Sequence, residues 1–258
     1  MSGTTNADAR LELTALPGIG EVLPGCDLGD LLVRAMAAAG LDPRHQDVLV
    51  IAQKAVSKAE GRFVDLASVQ PSARACELAR ITGKDPRLVE VVLGESTEVL
   101  RAKPNVMITR HRLGLVMAQA GVDRSNVPGA DRVLLLPLDP DRSAATLRDS
   151  LLATHGVEVG VIVSDSFGRP WRLGTTNVAI GAAGVPALWD RRGEMDREDR
   201  RLETTQVAWA DAVAAAAGIA MGEAAEGTPA VLVRGLHWSL PAQPARTLLR
   251  PTDEDMFR

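Results

Sequence analysis

The sequence predicts a mixed α/β protein, with mixed sheets, a β-hairpin and flanking helices. Three observations carry that expectation: short β-branched apolar runs of strand length, amphipathic stretches with helix caps between them, and a hairpin pattern that interrupts their alternation. Strand and helix do not alternate strictly, so a regular Rossmann sheet or an eightfold barrel is not expected.

Asp27 precedes Leu28, Leu31, Leu32, Ala35, Met36 and Ala39, which recur at helical spacing, and Gly40 stands at the C-terminal cap. Next, Asp47 to Ala52 is apolar and β-branched, the pattern of a buried strand, and it leads into a polar loop from Gln53 to Gly61. Pro71-Ser72 opens a second helix that ends near Gly83, and Asp85-Pro86 opens a third, with Asp as cap and Pro in the first turn. Asn105 to Gln119 reads as two strands around Arg112 and Gly114, with Arg132 to Pro137 as a neighbouring strand. Asp141 and Ser143 introduce a helix to about Thr154. Gly156 to Val163 is the clearest buried strand, ending at Ser164-Asp165-Ser166. Thr176 to Ile180 and Pro186 to Trp189 are further strands, Thr205 to Gly222 a long helix, and Ala230 to Arg234 a late strand. The tail from His237 to Arg258, with three prolines and mixed charge, reads as a surface-wrapping segment or a linker.

At 258 residues, 46% hydrophobic and 24% charged, the chain has the apolar material for one large domain or two small lobes. A formal net charge of -4 argues against a whole-protein attraction for nucleic acid. Met1 to Arg10 is polar and lacks a secretory signal, and no apolar run approaches the roughly 20 residues of a membrane helix. Cys26 and Cys76 form no Cys-x-x-Cys pair, so the default setting is a reducing cytoplasm.

Asp165 and Ser166, placed directly after a buried strand, are a carboxylate and hydroxyl held rigidly toward solvent, a donor pair suited to Mg²⁺ or Mn²⁺. The plainer reading is a turn, since Asp and Ser favour turns anyway. Asp123, with Asn126 three residues on, offers a second carboxylate at a strand end, and Glu223 and Glu226 lie amid small residues after a helix. For phosphate there is the small-residue turn Leu16-Pro-Gly-Ile-Gly20, which lacks the third glycine of a dinucleotide fingerprint, and the ammonium groups of Lys54 and Lys58. Arg169 and Arg172 could clamp a carboxylate or phosphate, or form surface ion pairs. Trp189 to Glu203, with five arginines against six acids, reads as a solvated loop first and a substrate lid second.

Taken in order, Leu16-Pro-Gly-Ile19, Gln53-Lys-Ala-Val-Ser-Lys-Ala-Glu-Gly61, Ala120-Gly-Val-Asp-Arg-Ser-Asn126, Leu134-Leu-Leu-Pro-Leu-Asp-Pro140, Val161-Ile-Val-Ser-Asp-Ser-Phe-Gly-Arg169 and Met221-Gly-Glu223 resemble the coenzyme F420-0:L-glutamate ligase (gamma-glutamyl ligase) family. The likeness runs from about residue 13 to 236, and is to the ligase module of the actinobacterial bifunctional enzyme, which a flavin-dependent reductase domain can follow. It implies a ligase domain over 1–236, with 237–258 as tail or linker, two intertwined lobes and an intertwined homodimer. It also implies a GTP-dependent enzyme that adds L-glutamate to F420-0, and further gamma-linked glutamates, through an acyl phosphate. Matched residue by residue, it assigns Asp123, Asp165, Ser166 and Glu223 to two divalent cations, Mg²⁺ or Mn²⁺, with room for K⁺. It places Leu16, Pro17, Gly18, Ile19, Gln53, Lys54, Lys58, Asn126, Met221, Gly222, Glu223, Ala224, Ala225, Glu226, Gly227 and Thr228 around GTP, with Lys58 and Asp165 as catalytic groups. Where relatives often carry Thr, Ser166 keeps an oxygen ligand. A metal-dependent phosphohydrolase and a non-catalytic GTP-binding module are the rival readings.

Overall fold

The structure, a computed structural model, describes residues 10–255. The polar segment from Met1 falls outside the described residues except for Arg10, as do the last three residues of the tail.

Strand β1 (Glu12–Ala15), which the sequence does not announce, precedes helix α1 (Leu28–Ala38). Asp27 caps α1 by accepting the Asp30 N–H at 3.0 Å, and Gly40 turns the chain away at φ +66. Strand β2 (Val48–Ala52) runs without a linker into helix α2 (Gln53–Ala59). The expected polar loop is therefore two turns of helix. Its sequence is polar because Ala55 and Val56, with Ala59 at the edge, serve the apolar core, while Gln53, Ser57 and Lys58 are buried against polar partners.

Next come β3 (Phe63–Asp65), α3 (Ala73–Thr82), capped by Ser72 and by left-handed Gly83, and α4 (Pro86–Gly94), capped by Asp85. Strands β4 (Ser96–Lys103), β5 (Val106–His111) and β6 (Val116–Ala118) form an antiparallel meander. The neighbour of the expected hairpin is thus β4, while β7 (Arg132–Leu134) pairs with β3. Helix α5 (Pro140–His155) starts earlier than expected because Asp139, not Asp141, accepts the capping N–H, from Arg142 at 3.1 Å. Asp141 is buried instead: its Oδ1 accepts the N–H groups of Ala182 at 2.9 Å and Ala245 at 2.6 Å, tying the tail to the body.

Strand β8 (Gly160–Arg169) forms a long hairpin with β9 (Arg172–Ala183). Asp165 and Ser166 therefore lie within a strand and not after it, since pairing with Val178 and Asn177 carries the ladder past residues that favour turns. β10 (Leu188–Asp190) and β11 (Gln206–Ala208) make a small ribbon, helix α6 (Trp209–Met221) begins after β11 and so is shorter than expected, and β12 (Ala230–Arg234) closes the fold.

The central sheet has the order β1-β12-β2-β8-β9, antiparallel throughout except for the parallel pair β2–β8. Alternation along its strands sorts the two faces. Leu49, Ile51, Val161 and Val163 join α1, α2 and α5 in one cluster, while Val48, Val50, Ile162 and Val231 meet α6 in another. A third cluster, containing Leu78, Val89, Met107 and Val133, serves α3, α4 and the small sheets. This is a mixed α/β architecture with no barrel. Among the described residues no helix is long and apolar enough to cross a membrane.

Candidate functional site

β1 runs antiparallel to β12 and β12 antiparallel to β2, so β1, β2 and β8 all point the same way. Their carboxyl ends, together with the loop that enters β12, therefore meet at one edge of the sheet, the place where open α/β sheets bind ligands. Two backbone bonds close the junction: Leu16 N–H to Ala230 O at 2.9 Å and Ala52 N–H to Pro229 O at 2.8 Å. A cavity of about 360 Å³ opens there.

Asp165 and Ser166 line the cavity, as do Gln53, Lys54, Lys58, Asn126 and the whole Met221 to Thr228 segment. Leu16 and Ile19 face the core instead, and Gly20, Glu21 and Val22 supply the wall on that side. Asp123 stands behind Lys54, outside the lining. Its backbone is held by reciprocal bonds with Leu134, at 3.0 and 2.8 Å. Arg169 and Arg172 lie off the cavity near the hairpin tip, where an Arg169 Nη2 donates to the Leu173 carbonyl at 3.4 Å. The 191–203 segment is an exposed loop crossed by a bridge between Met195 and Arg201.

Lys54 and Lys58, four apart on α2, present their ammonium groups to the same side. Lys54 Nζ binds Asp123 Oδ2 at 2.7 Å and Ser125 Oγ at 2.5 Å. Lys58, buried, binds exposed Glu21 at 2.7 Å. Burial works against the Asp123 carboxylate, yet Lys54 and the Ser125 donors outweigh it and hold its carboxyl below the usual range. Asp165 goes the other way. Burial, with the charges of Asp123 and Glu223 adding to it, overcomes the Ser166 N–H and Lys54 and pushes its carboxyl up to about 7.

Asn177 and Ser164 are polar lining residues that the sequence reading did not assign to the site. Asn177, opposite Ser166 in the β8–β9 register, donates from Nδ2 to Glu223 Oε1 at 2.7 Å. Ser164 is buried and its hydroxyl has no hydrogen-bond partner, a polar atom at the cavity wall that a ligand could satisfy. The only signal for Asn177 was a carboxamide next to an apolar Val-Ala-Ile run, and nothing local says what it faces.

Among the described residues no three His, Cys, Asp or Glu side chains gather closely enough to cage a cation unaided. Lys54 covers Asp123, and Asn177 holds Glu223. The donor set is all oxygen, and the buried Asp165 feels two further negative charges. Those features fit a hard cation that takes much of its shell from water and ligand phosphates.

Residues 18–235 match the F420-0:gamma-glutamyl ligase family model. The coenzyme F420:L-glutamate ligase of Methanothermobacter thermautotrophicus is 44% identical over 250 residues, 96% of this chain and 99% of the relative. The protein of that name from Methanopyrus kandleri is 47% identical over 252 residues, 96% and 98% of the two chains. The one from Haloarcula marismortui is 42% identical over 255 residues, 96% of each. The likeness thus lies with archaeal ligases, where an actinobacterial bifunctional enzyme was expected.

Proposed function

The chain belongs to the F420-0:gamma-glutamyl ligase family, and from that premise we propose that its cavity binds GTP with two divalent cations, Mg²⁺ or Mn²⁺, and joins a carboxylate of F420-0 to the amine of L-glutamate. The observation that carries this reading is the meeting of Asp165, Ser166 and Glu223 with Lys54, Lys58 and Asn126, from four distant stretches of chain, around one cavity.

Asp123, Asp165, Ser166 and Glu223 would hold the cations, which when bound neutralise phosphate charge. Lys54 and Lys58 supply positive charge from the rigid side of α2, and Lys58 exchanges an exposed glutamate for a phosphate oxygen. The backbone of the Met221 to Thr228 segment, closed by the Thr228 Oγ to Met221 O bond at 2.8 Å, forms the opposite wall of the nucleotide site. A carboxylate is a poor electrophile, so its oxygen first attacks the γ-phosphorus; the bond to the β-phosphate oxygen breaks and GDP leaves. The glutamate nitrogen then attacks the acyl carbon, the carbon–oxygen bond to phosphate breaks, and phosphate leaves while the amine proton passes to solvent. Repetition at the side-chain carboxylate of the added glutamate extends a gamma-linked tail.

The enzyme works in the cytoplasm, in keeping with two free cysteines, as a homodimer. Trp171 and Leu173, at the tip of the β8–β9 hairpin, are 89% and 99% exposed in the single chain, an apolar pair that a second copy would cover.

Asp165→Ala, assayed by mass spectrometry with GTP, Mn²⁺, F420-0 and glutamate, should lose at least about 100-fold in turnover. Near-normal glutamate addition would overturn the assignment. Phosphate release by the wild type should require F420-0 and glutamate together; release without glutamate would favour a phosphohydrolase.

A further inference from the structure

Asn177 is the one lining residue of β9, and its position is over-determined. It sits directly across from Ser166, so the two side chains leave the same face of the hairpin. It is 7% exposed, and its Nδ2 reaches Glu223 at 2.7 Å across the cavity edge. On α6, Gly218 lies against it: a Cβ at Gly218 would overlap the Asn177 carboxamide. One turn later Gly222, at φ +77, ends α6 and sends the chain into the segment that carries Glu223. Strand, helix and turn therefore converge on one amide-to-carboxylate bond.

Packing alone does not ask for a carboxamide there. The same strand continues as Val178, Ala179 and Ile180, and the buried residues of α6, from Trp209 to Met221, are apolar or glycine, while Asp211 accepts the Ala179 N–H at 2.9 Å. A buried amide costs free energy unless its partner is kept. The partner kept here is the carboxylate of Glu223 at the mouth of the cavity, on an exposed loop.

We propose that Asn177 is a positioning residue that aims the Glu223 carboxylate, beside Ser166, at a divalent cation. The proposal rests on the metal reading of Glu223 given above. The Nδ2 donor occupies one oxygen of the carboxylate and fixes its plane, leaving the other for the cation, the arrangement by which outer partners orient metal ligands. Gly218 keeps the space that lets the carboxamide reach.

Titration of Mn²⁺ against the full chain saturated with a non-hydrolysable GTP analogue, followed by the electron paramagnetic resonance of free Mn²⁺, tests this. Asn177→Leu keeps the volume and removes the donor. It should weaken Mn²⁺ binding by about 10-fold or more, lower kcat at limiting Mn²⁺ and regain activity at high Mn²⁺, with no loss in the thermal midpoint. Asn177→Ser, too short to reach Glu223, gives the same readout should the leucine variant not fold. Glu223→Gln separates the layers. If it weakens Mn²⁺ binding and the Asn177 variants do not, the positioning role is wrong and the metal site stands. If Glu223→Gln binds Mn²⁺ like wild type, the metal reading of Glu223 falls, and the role of Asn177 with it.

Discussion

Glu95, at the end of α4, gathers Arg62 at 3.1 Å, Arg112 at 3.2 Å and buried His111 at 3.3 Å. The Leu113 N–H donates to His111 Nδ1 at 2.9 Å, which leaves Nε2 to donate to the carboxylate. The same two arginines donate to the carbonyls of Leu136 and Leu138, so the cluster clamps the segment that follows β7, whose last residue, Leu134, brackets Asp123. Burial pushes the Glu95 carboxyl up, but the His111 bond and the charges of Arg112 and Arg62 prevail and bring it down to about 2 from 4.5. A depressed carboxyl stabilises the fold above its unfolded value and loses that contribution as pH falls toward 2. Glu95→Gln should thus cost about 3 kcal/mol near neutrality, and the gap to wild type should close between pH 4.5 and 2 in urea titrations. A gap independent of pH would refute the charge-based account. None of this cluster was legible beforehand, since its members come from three separate stretches. The site residues on ordered sequence motifs were legible as types, whereas the burial that splits Asp123 from Asp165 was not.

Helices α1, α3 and α4 could be read from the chain because their caps, Asp27, Ser72 and Asp85, act within three residues. Strands β1, β3, β4 and β11 could not. They are short or partly exposed, and what makes them strands is a partner far away in sequence. The long β8–β9 hairpin shows the same thing at larger scale, carrying Asp165 and Ser166 along a ladder where local preference suggested a turn. Its second strand also receives α5. Gly181 on β9 touches the Pro140 carbonyl so closely that a Cβ would overlap backbone, which cannot swing aside. Gly181→Ala should therefore destabilise by about 1–3 kcal/mol, read from denaturant midpoints. A change under about 0.5 kcal/mol, the size of ordinary surface substitutions, would mean the helix sits farther from the sheet.

The architecture was foreseeable as mixed α/β, yet the sheet order was not, and it is the order that brings three strand ends and the 221–229 loop to one edge. For the assembled protein, light scattering after size exclusion should give twice the 27.3 kDa chain mass. Replacing Trp171 and Leu173 with serine should shift it toward the single-chain mass. A wild type at the single-chain mass at micromolar concentration would rule out the homodimer.

Asp141 turns the last stretch of chain into a fastener. Besides the N–H groups of Ala182 and Ala245, its carboxylate holds the Arg246 guanidinium at 3.1 Å, so one acid staples a helix start, a sheet strand and the C-terminal run together. A protein shortened before Pro244 would keep that charge inside with a single donor left to satisfy it. Loss would then spread inward through α5 to the strand bearing Asn177, so trimming this end would be felt at the cavity and not only at the surface.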